Sequence, residues 1–358
     1  MAAAAPDPIA DDLLARLPAS PNAYPQKLDL IRDAVLLIRL DAAGYRAASF
    51  LDDRILAPAT QGAWLPVDRI ARVPGLGVNG RPLHFIFHTG HVGSTLVSRL
   101  LDETGAVLSL REPLPLRTLA EAHDVLRQPD SLLSDARFDL IVSMLLNLWR
   151  RGYDATRSVV VKATSSAGRV AVPLLARSEH SRGVYMNLRV EPYLATLLAG
   201  QNSPIDLRGH GAERIRRLQA RVAEPLAPLH TLSLGELAAM SWLAESWTQR
   251  DTIERAGGRI IAVDFDRFLA NVADGIGRIV RHLGVPHDPR YLSEVGRSAV
   301  MTRYSKAPEY AYTPDVRAEV LAISRRENRE EIRKGMDWLE RRARSDNDVA
   351  TIVAGAGL

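Results

Sequence analysis

Cysteine is absent from the 358 residues, which excludes disulfide stapling, thiolate nucleophiles and cysteine-ligated zinc or iron–sulfur centres together. Lysine is scarce: only Lys27, Lys162, Lys306 and Lys334 stand among the 46 basic residues, and arginine supplies the rest. A lysine at the end of a buried strand is therefore worth notice. No apolar run approaches the ~20 residues that span a bilayer. The start, Met1 to Pro8, has neither the positive region nor the long apolar stretch of a secretory signal, so the expected compartment is the cytoplasm. Net charge is a modest +4, which permits polyanion binding and suits phosphate-bearing small molecules equally well. A hydrophobic share of 46% beside 25% charged residues is ordinary globular usage, which excludes collagen-like, fibrous and wholly disordered chains.

Along the chain, residues 1–20 are rich in Ala, Pro and Asp and read as frayed. Apolar runs at Ala34–Ile38 and Ala47–Leu51 suggest a small N-terminal cap, with helix or strand left open. Turn formers over 73–82 read as a linker. The expected division is a tail and cap over 1–80, an α/β domain over 81–312, and a charged helix and tail over 313–358. Within the middle part, short apolar segments at 83–87, 107–110, 158–161, 184–188 and 259–263 read as strands alternating with helical spacings. That alternation predicts a doubly wound parallel sheet with helices on both faces. The arginines of 201–221 read as exposed, and Glu319–Arg344 reads as one charged helix with a solvated face.

The sharpest local signal is His88-Thr89-Gly90-His91-Val92-Gly93-Ser94-Thr95, between a buried strand and a helix. A strand-to-helix turn of small residues aims successive backbone N–H groups at one point, and the helix N-terminus adds its positive end. The loop therefore reads as an anion site, most simply for phosphate, built by Gly90, His91, Val92, Gly93, Ser94 and Thr95. The alternative is a glycine-containing turn without chemistry. It is not the Walker A motif, since no lysine precedes Ser94-Thr95. His84, His88 and His91 point different ways on a strand and loop, so no metal site is expected.

From Phe85 to Leu101, and above all in Gly93-Ser94-Thr95-Leu96, the chain resembles the sulfotransferase superfamily, in particular bacterial sulfotransferase-like proteins. The resemblance covers about residues 83–310. It implies a P-loop nucleoside triphosphate hydrolase-like fold and 3′-phosphoadenosine 5′-phosphosulfate as sulfuryl donor. Where better-known members carry a loop lysine, this chain has His91. Val159–Thr164 is similar to the family's strand ending in K-T-H, with Lys162 at the lysine and Thr164 at the histidine. The resemblance therefore implies Lys162 and His91 at the transferred group and Glu112, after the second strand, as the base. Leu188–Thr196 is similar to the family's 3′-phosphate segment, which implies Arg189 and Thr196. Arg303 and Lys306 would close over the nucleotide. Arg333–Trp338 matches a family motif only by coincidence.

Plainer alternatives stand beside these. Glu112 pairs with Arg111 or Arg117 in an exposed loop, Lys162 is a solvated strand-end lysine, and Thr164, Ser165 and Ser166 cap the next helix. Two other functions compete. One is a kinase using ATP and Mg²⁺, with Asp264 and Ser94 holding the metal. The other is a non-catalytic module binding nucleotide or nucleic acid through the arginines of 208–221, although these lack the interleaved aromatics of a stacking platform. The expected acceptor is a small molecule or carbohydrate. Nucleic acid and a membrane span are not expected, and the oligomeric state is open.

Overall fold

In the computed structural model, which describes residues 7–355, the chain opens with a helix, Pro8–Arg16. Asp7 caps it by accepting from the amides of Ile9 and Ala10, and Leu13 and Leu17 are fully buried. The expected fraying is thus corrected from residue 7 onward, because Asp7-Pro8 is a helix-start pair. The remainder of that reading, and most of the reading of the terminus as no signal peptide, falls on Met1–Pro6, outside the described residues. Strands β1 (Ala23–Asp29), β2 (Ala34–Arg39) and β3 (Gly62–Pro66) follow as an antiparallel sheet. Ala34–Ile38 is therefore strand, whereas 47–51 ends a short helix and then runs irregularly.

The central sheet holds β4 (Leu83–His88), β5 (Val107–Arg111), β6 (Ser158–Lys162), β7 (Gly183–Asn187) and β8 (Ile260–Asp264). All pairings are parallel and the order is β5-β6-β4-β7-β8. Its strands are short, β-branched and aromatic, as both-face burial requires. Alternation along each strand divides the core in two. Phe85, Phe87, Val159, Val161 and Tyr185 face one side, with the N-terminal sheet and the helix Asp135–Trp149. Ile86, Val160, Val184 and Met186 face the other, with the helices Ser94–Asp102, Val190–Ala199 and Leu234–Ala256. The strand order reverses at β4, and sheets of this kind bind ligands beyond the carboxyl ends of the strands at that point.

Two surface expectations are corrected. Arg214, buried, and Arg217, mostly covered, on the helix Gly211–Gln219, face the helix Leu234–Ala256, where both reach the carboxylate of Glu245. Arg216 and Arg221 pair with Asp124 and Asp251. Most of this arginine run is thus engaged within the fold and is not an open basic face. The charged C-terminal segment forms two helices, Pro314–Glu327 and Arg329–Ser345, broken at Asn328. The second buries Ile332, Gly335, Trp338 and Leu339 and crosses the helix Leu234–Ala256 so closely that a Cβ on Gly235 would overlap the carbonyl of Glu331. Arg333–Trp338 lies within this helix.

Candidate active site

Strand β4 ends at His88, whose buried ring fixes the start of the loop. Its Nε2 lies 2.8 Å from the carbonyl of Ala163, and its Nδ1 accepts from the amide of Gly90 at 3.1 Å. The ring is therefore the Nε2–H tautomer, and burial holds it well below the usual imidazole range. Thr89 donates its amide to Met186 in β7. Three residues then take left-handed backbone: Gly90 (φ 102°), His91 (φ 55°) and Gly93 (φ 72°). Gly93 is the N-cap of the helix Ser94–Asp102 and gives no side-chain cap. A Cβ there would overlap the Phe265 ring.

The amide of Gly90 is engaged, but those of His91, Val92, Gly93, Ser94, Thr95 and Leu96 donate to no group among the described residues; the first helical bond runs from Val97 to Gly93. Unpartnered amides at a helix start favour an anion by direct donation and by the helix dipole. The hydroxyl of Thr95 is buried and likewise without a partner.

These amides face a cavity of about 800 Å³. Of the sequence candidates, Gly90, His91, Val92, Gly93, Ser94, Thr95, Glu112, Lys162, Thr196, Arg303 and Lys306 all line it. Arg189 does not: it caps the helix Val190–Ala199, and its side chain is exposed. Thr196 donates its hydroxyl to Pro192 within that helix.

On the floor, Lys162 at the end of β6 is fully buried and ion-paired with Glu112. This answers the plainer readings of both residues: the lysine is not solvated, and Arg111 and Arg117 pair with Asp102 and Glu121 instead. Glu112 takes φ 52°, unusual for a side-chain-bearing residue, and its amide donates to the carbonyl of Lys162 at 2.6 Å. Burial lowers the Lys162 ammonium from its ordinary value, against the pull of Glu112. His91 is held neutral, at about 3, by burial and by Lys306, Arg214 and Lys162. Lys306 is also lowered by burial. Thr164 provides no side-chain cap, and both it and Ser165 line the cavity.

Several lining residues escaped the sequence reading. Phe50, Asp52 and Arg54 come from the N-terminal part: the Arg54 guanidinium stacks 3.6 Å above the Phe50 ring and is held by Asp52. Arg117, Arg214 and Arg317 add three more cations. Arg214 had a readable signal, since it shares a helix face with Leu218 four residues on while Glu245 interrupts an apolar helix; both are buried. The cap residues had none. Basic side chains outnumber Asp52, Glu112 and Asp206 on the cavity wall, an excess that suits an anionic ligand. Asp264, the metal ligand of the kinase reading, accepts from the amide of Arg267 at 2.9 Å as a helix cap and does not line the cavity. Among the described residues no group of three or more His, Asp or Glu could hold a metal ion.

No family model matches the chain, and no curated protein matches it. Solved structures similar to it include sulfotransferases. The sulfotransferase domain from the curacin biosynthetic pathway is 16% identical, with 64% of this chain and 83% of that one covered and a TM-score of 0.38. Sulfotransferase STF9 from Mycobacterium avium is 13% identical over 89% and 96%, and mouse sulfotransferase SULT7A1 complexed with PAP is 8% identical over 76% and 88%, both at 0.38. At these values the likeness adds no argument about chemistry. The parallel, doubly wound fold and its loop stand on the strand order and backbone described above.

Proposed function

We propose that this protein is a sulfotransferase that moves a sulfuryl group from 3′-phosphoadenosine 5′-phosphosulfate to a hydroxyl or amine of a small-molecule or carbohydrate acceptor. The observation that carries the reading is the run of unpartnered amides from His91 to Leu96 at the floor of a cation-lined cavity. The fit to such a donor is supported by the apolar residues Phe265, Leu269, Tyr312 and Val320 that line the same cavity.

When bound, the donor supplies an activated sulfuryl group. The chain's own residues hold and orient it: the loop amides with Ser94 and Thr95 take the inner phosphate, and Arg303, Lys306 and Thr196 surround the nucleotide. The neutral His91 offers one ring N–H rather than a second full charge. Lys162 sits where a cation can stabilise charge on the transferred group's oxygens. Glu112, the ion-pair partner of Lys162, takes the proton of the acceptor's hydroxyl.

Isothermal titration with adenosine 3′,5′-bisphosphate tests the donor. Binding without Mg²⁺ supports the proposal, and Mg²⁺-dependent binding of ATP in its place points to the kinase. Transfer of labelled sulfate to a panel of hydroxyl and amine acceptors tests the reaction. Binding of the bisphosphate with no turnover on any acceptor leaves a nucleotide-binding protein without catalysis.

A further inference from the structure

The helix that begins at the loop carries a cation with no assigned task. Arg99 lies four residues after Thr95, on the same helix face. It is half-buried, and burial, with Arg111 nearby, lowers its guanidinium to about 10. All its hydrogen bonds leave its own helix and go to neutral acceptors: Nε to the carbonyl of Ser305 at 2.7 Å, Nη2 to the hydroxyl of Ser49 at 2.8 Å, and Nη1 to the carbonyl of Arg46 at 3.4 Å.

Those partners belong to two different walls of the cavity. Ser305 sits in the turn between β9 (Arg303–Tyr304) and β10 (Ala307–Ala311), directly before Lys306. Arg46 and Ser49 lead into Phe50, Asp52 and Arg54, which face the cavity from the N-terminal part. Arg111, the residue before Glu112, secures the same N-terminal stretch by donating to the carbonyls of Tyr45 and Ala48, both at 2.8 Å. Leu51 donates back to the carbonyl of Arg111 at 2.7 Å. Arg99 joins this stretch to the hairpin. A charged donor kept among neutral acceptors is costly to desolvate, so its use lies in what it holds.

We infer that Arg99 is a positioning residue: it clamps the Lys306 hairpin and the Phe50–Arg54 wall to the loop helix, so that the anion site and the wall opposite it are assembled together. Arg99 makes no hydrogen bond to the loop amides, Glu112 or Lys162, so its effect on a ligand passes through the segments it holds. The ligand named in the test rests on the proposed donor.

The test is titration of the full chain with adenosine 3′,5′-bisphosphate for wild type, Arg99→Met, Lys306→Ala and the double variant. Each single change is expected to weaken binding about tenfold, the scale of a charged hydrogen bond. The double variant is expected to lose less than the sum of the two single losses, since the part of the Arg99 effect that passes through the hairpin acts on the same placed ammonium. Losses that add overturn the clamp. Hydrogen exchange without ligand supplies an independent reading: Arg99→Met speeds exchange over 303–311 and 45–54 while β4 and β6 stay protected. Unchanged exchange in either segment overturns the inference. If wild type binds no bisphosphate while exchange changes as expected, the donor assignment fails and the clamp stands. Should Arg99→Met not fold, Ser49→Ala removes one acceptor and is expected to loosen 45–54 alone; no change there overturns the N-terminal half of the clamp.

Discussion

A methyl group on Gly93 would meet the Phe265 ring, and its left-handed φ already penalises any side chain by about 1–2 kcal/mol. Gly93→Ala is therefore expected to lower the melting temperature and to remove detectable binding of adenosine 3′,5′-bisphosphate in titration. Gly90 also takes positive φ, but a Cβ there would make only ordinary van der Waals contacts with Ser165 and Tyr193, so Gly90→Ala is the milder change. At Glu112 the two substitutions to compare are Gln and Leu. Gln keeps an oxygen that accepts from Lys162 but cannot take a proton, whereas Leu leaves a buried ammonium unpaired, at about 3–5 kcal/mol. Turnover is expected to fall by roughly 10²–10⁴ in both, with urea denaturation showing a large loss of stability only for Leu. Equal turnover in wild type and Gln would remove Glu112 from the role of base. The loop was readable residue by residue because its turn and helix start are written in consecutive positions. Arg189 stands at the start of the helix Val190–Ala199 and outside the cavity lining, because its distance from Pro192 is a matter of where a helix begins.

Strand β4 and the loop after it hold three imidazoles that burial keeps neutral: His84 at about 4, His91 at about 3, and His88 well below its ordinary value. In the unfolded chain each takes a proton near 6.5. The unfolded state thus binds more protons below that pH, and the stability these groups contribute is full above about 6.5 and declines as pH falls toward 4. Urea midpoints at pH 7.5, 6 and 5 are expected to fall in that order, and His84→Asn, which keeps an acceptor for the amide of Arg182, to decline less steeply. A midpoint that rises on acidification would contradict the burial of these rings. At the crossing of Leu234–Ala256 with Arg329–Ser345, Gly235→Ala forces backbone against backbone, and overpacking of this kind costs about 1–3 kcal/mol. Denaturation should show the loss, while bisphosphate affinity stays within about twofold because the crossing is not part of the cavity wall. The stripe of Ile332, Gly335 and Leu339 was present in the sequence, but the charge around it hid the buried face. The central strands were legible because β-branched runs between turn formers have few other uses.

Over the whole molecule, the cavity draws cations from segments far apart in the chain: Arg54, Lys162, Arg214, Lys306 and Arg317. Their combined field on a polyanion is screened by salt, so affinity for adenosine 3′,5′-bisphosphate is expected to drop severalfold from 50 to 500 mM NaCl; an affinity indifferent to salt would argue against this cation-lined cavity as its site. Among the described residues no helix is long and apolar enough to cross a membrane. By itself the sequence determined the alternation of strand and helix, the small-residue loop after β4, and the rarity of lysine that singled out Lys162 at a strand end, because each is a property of neighbouring positions or of composition. Only the tertiary structure decided that Glu112 and Lys162 form one buried pair, that Arg214 and Arg217 turn inward, and that Phe50 and Arg54 reach the cavity. Those outcomes depend on strand order, register and the closure of distant segments, which local periodicity does not encode.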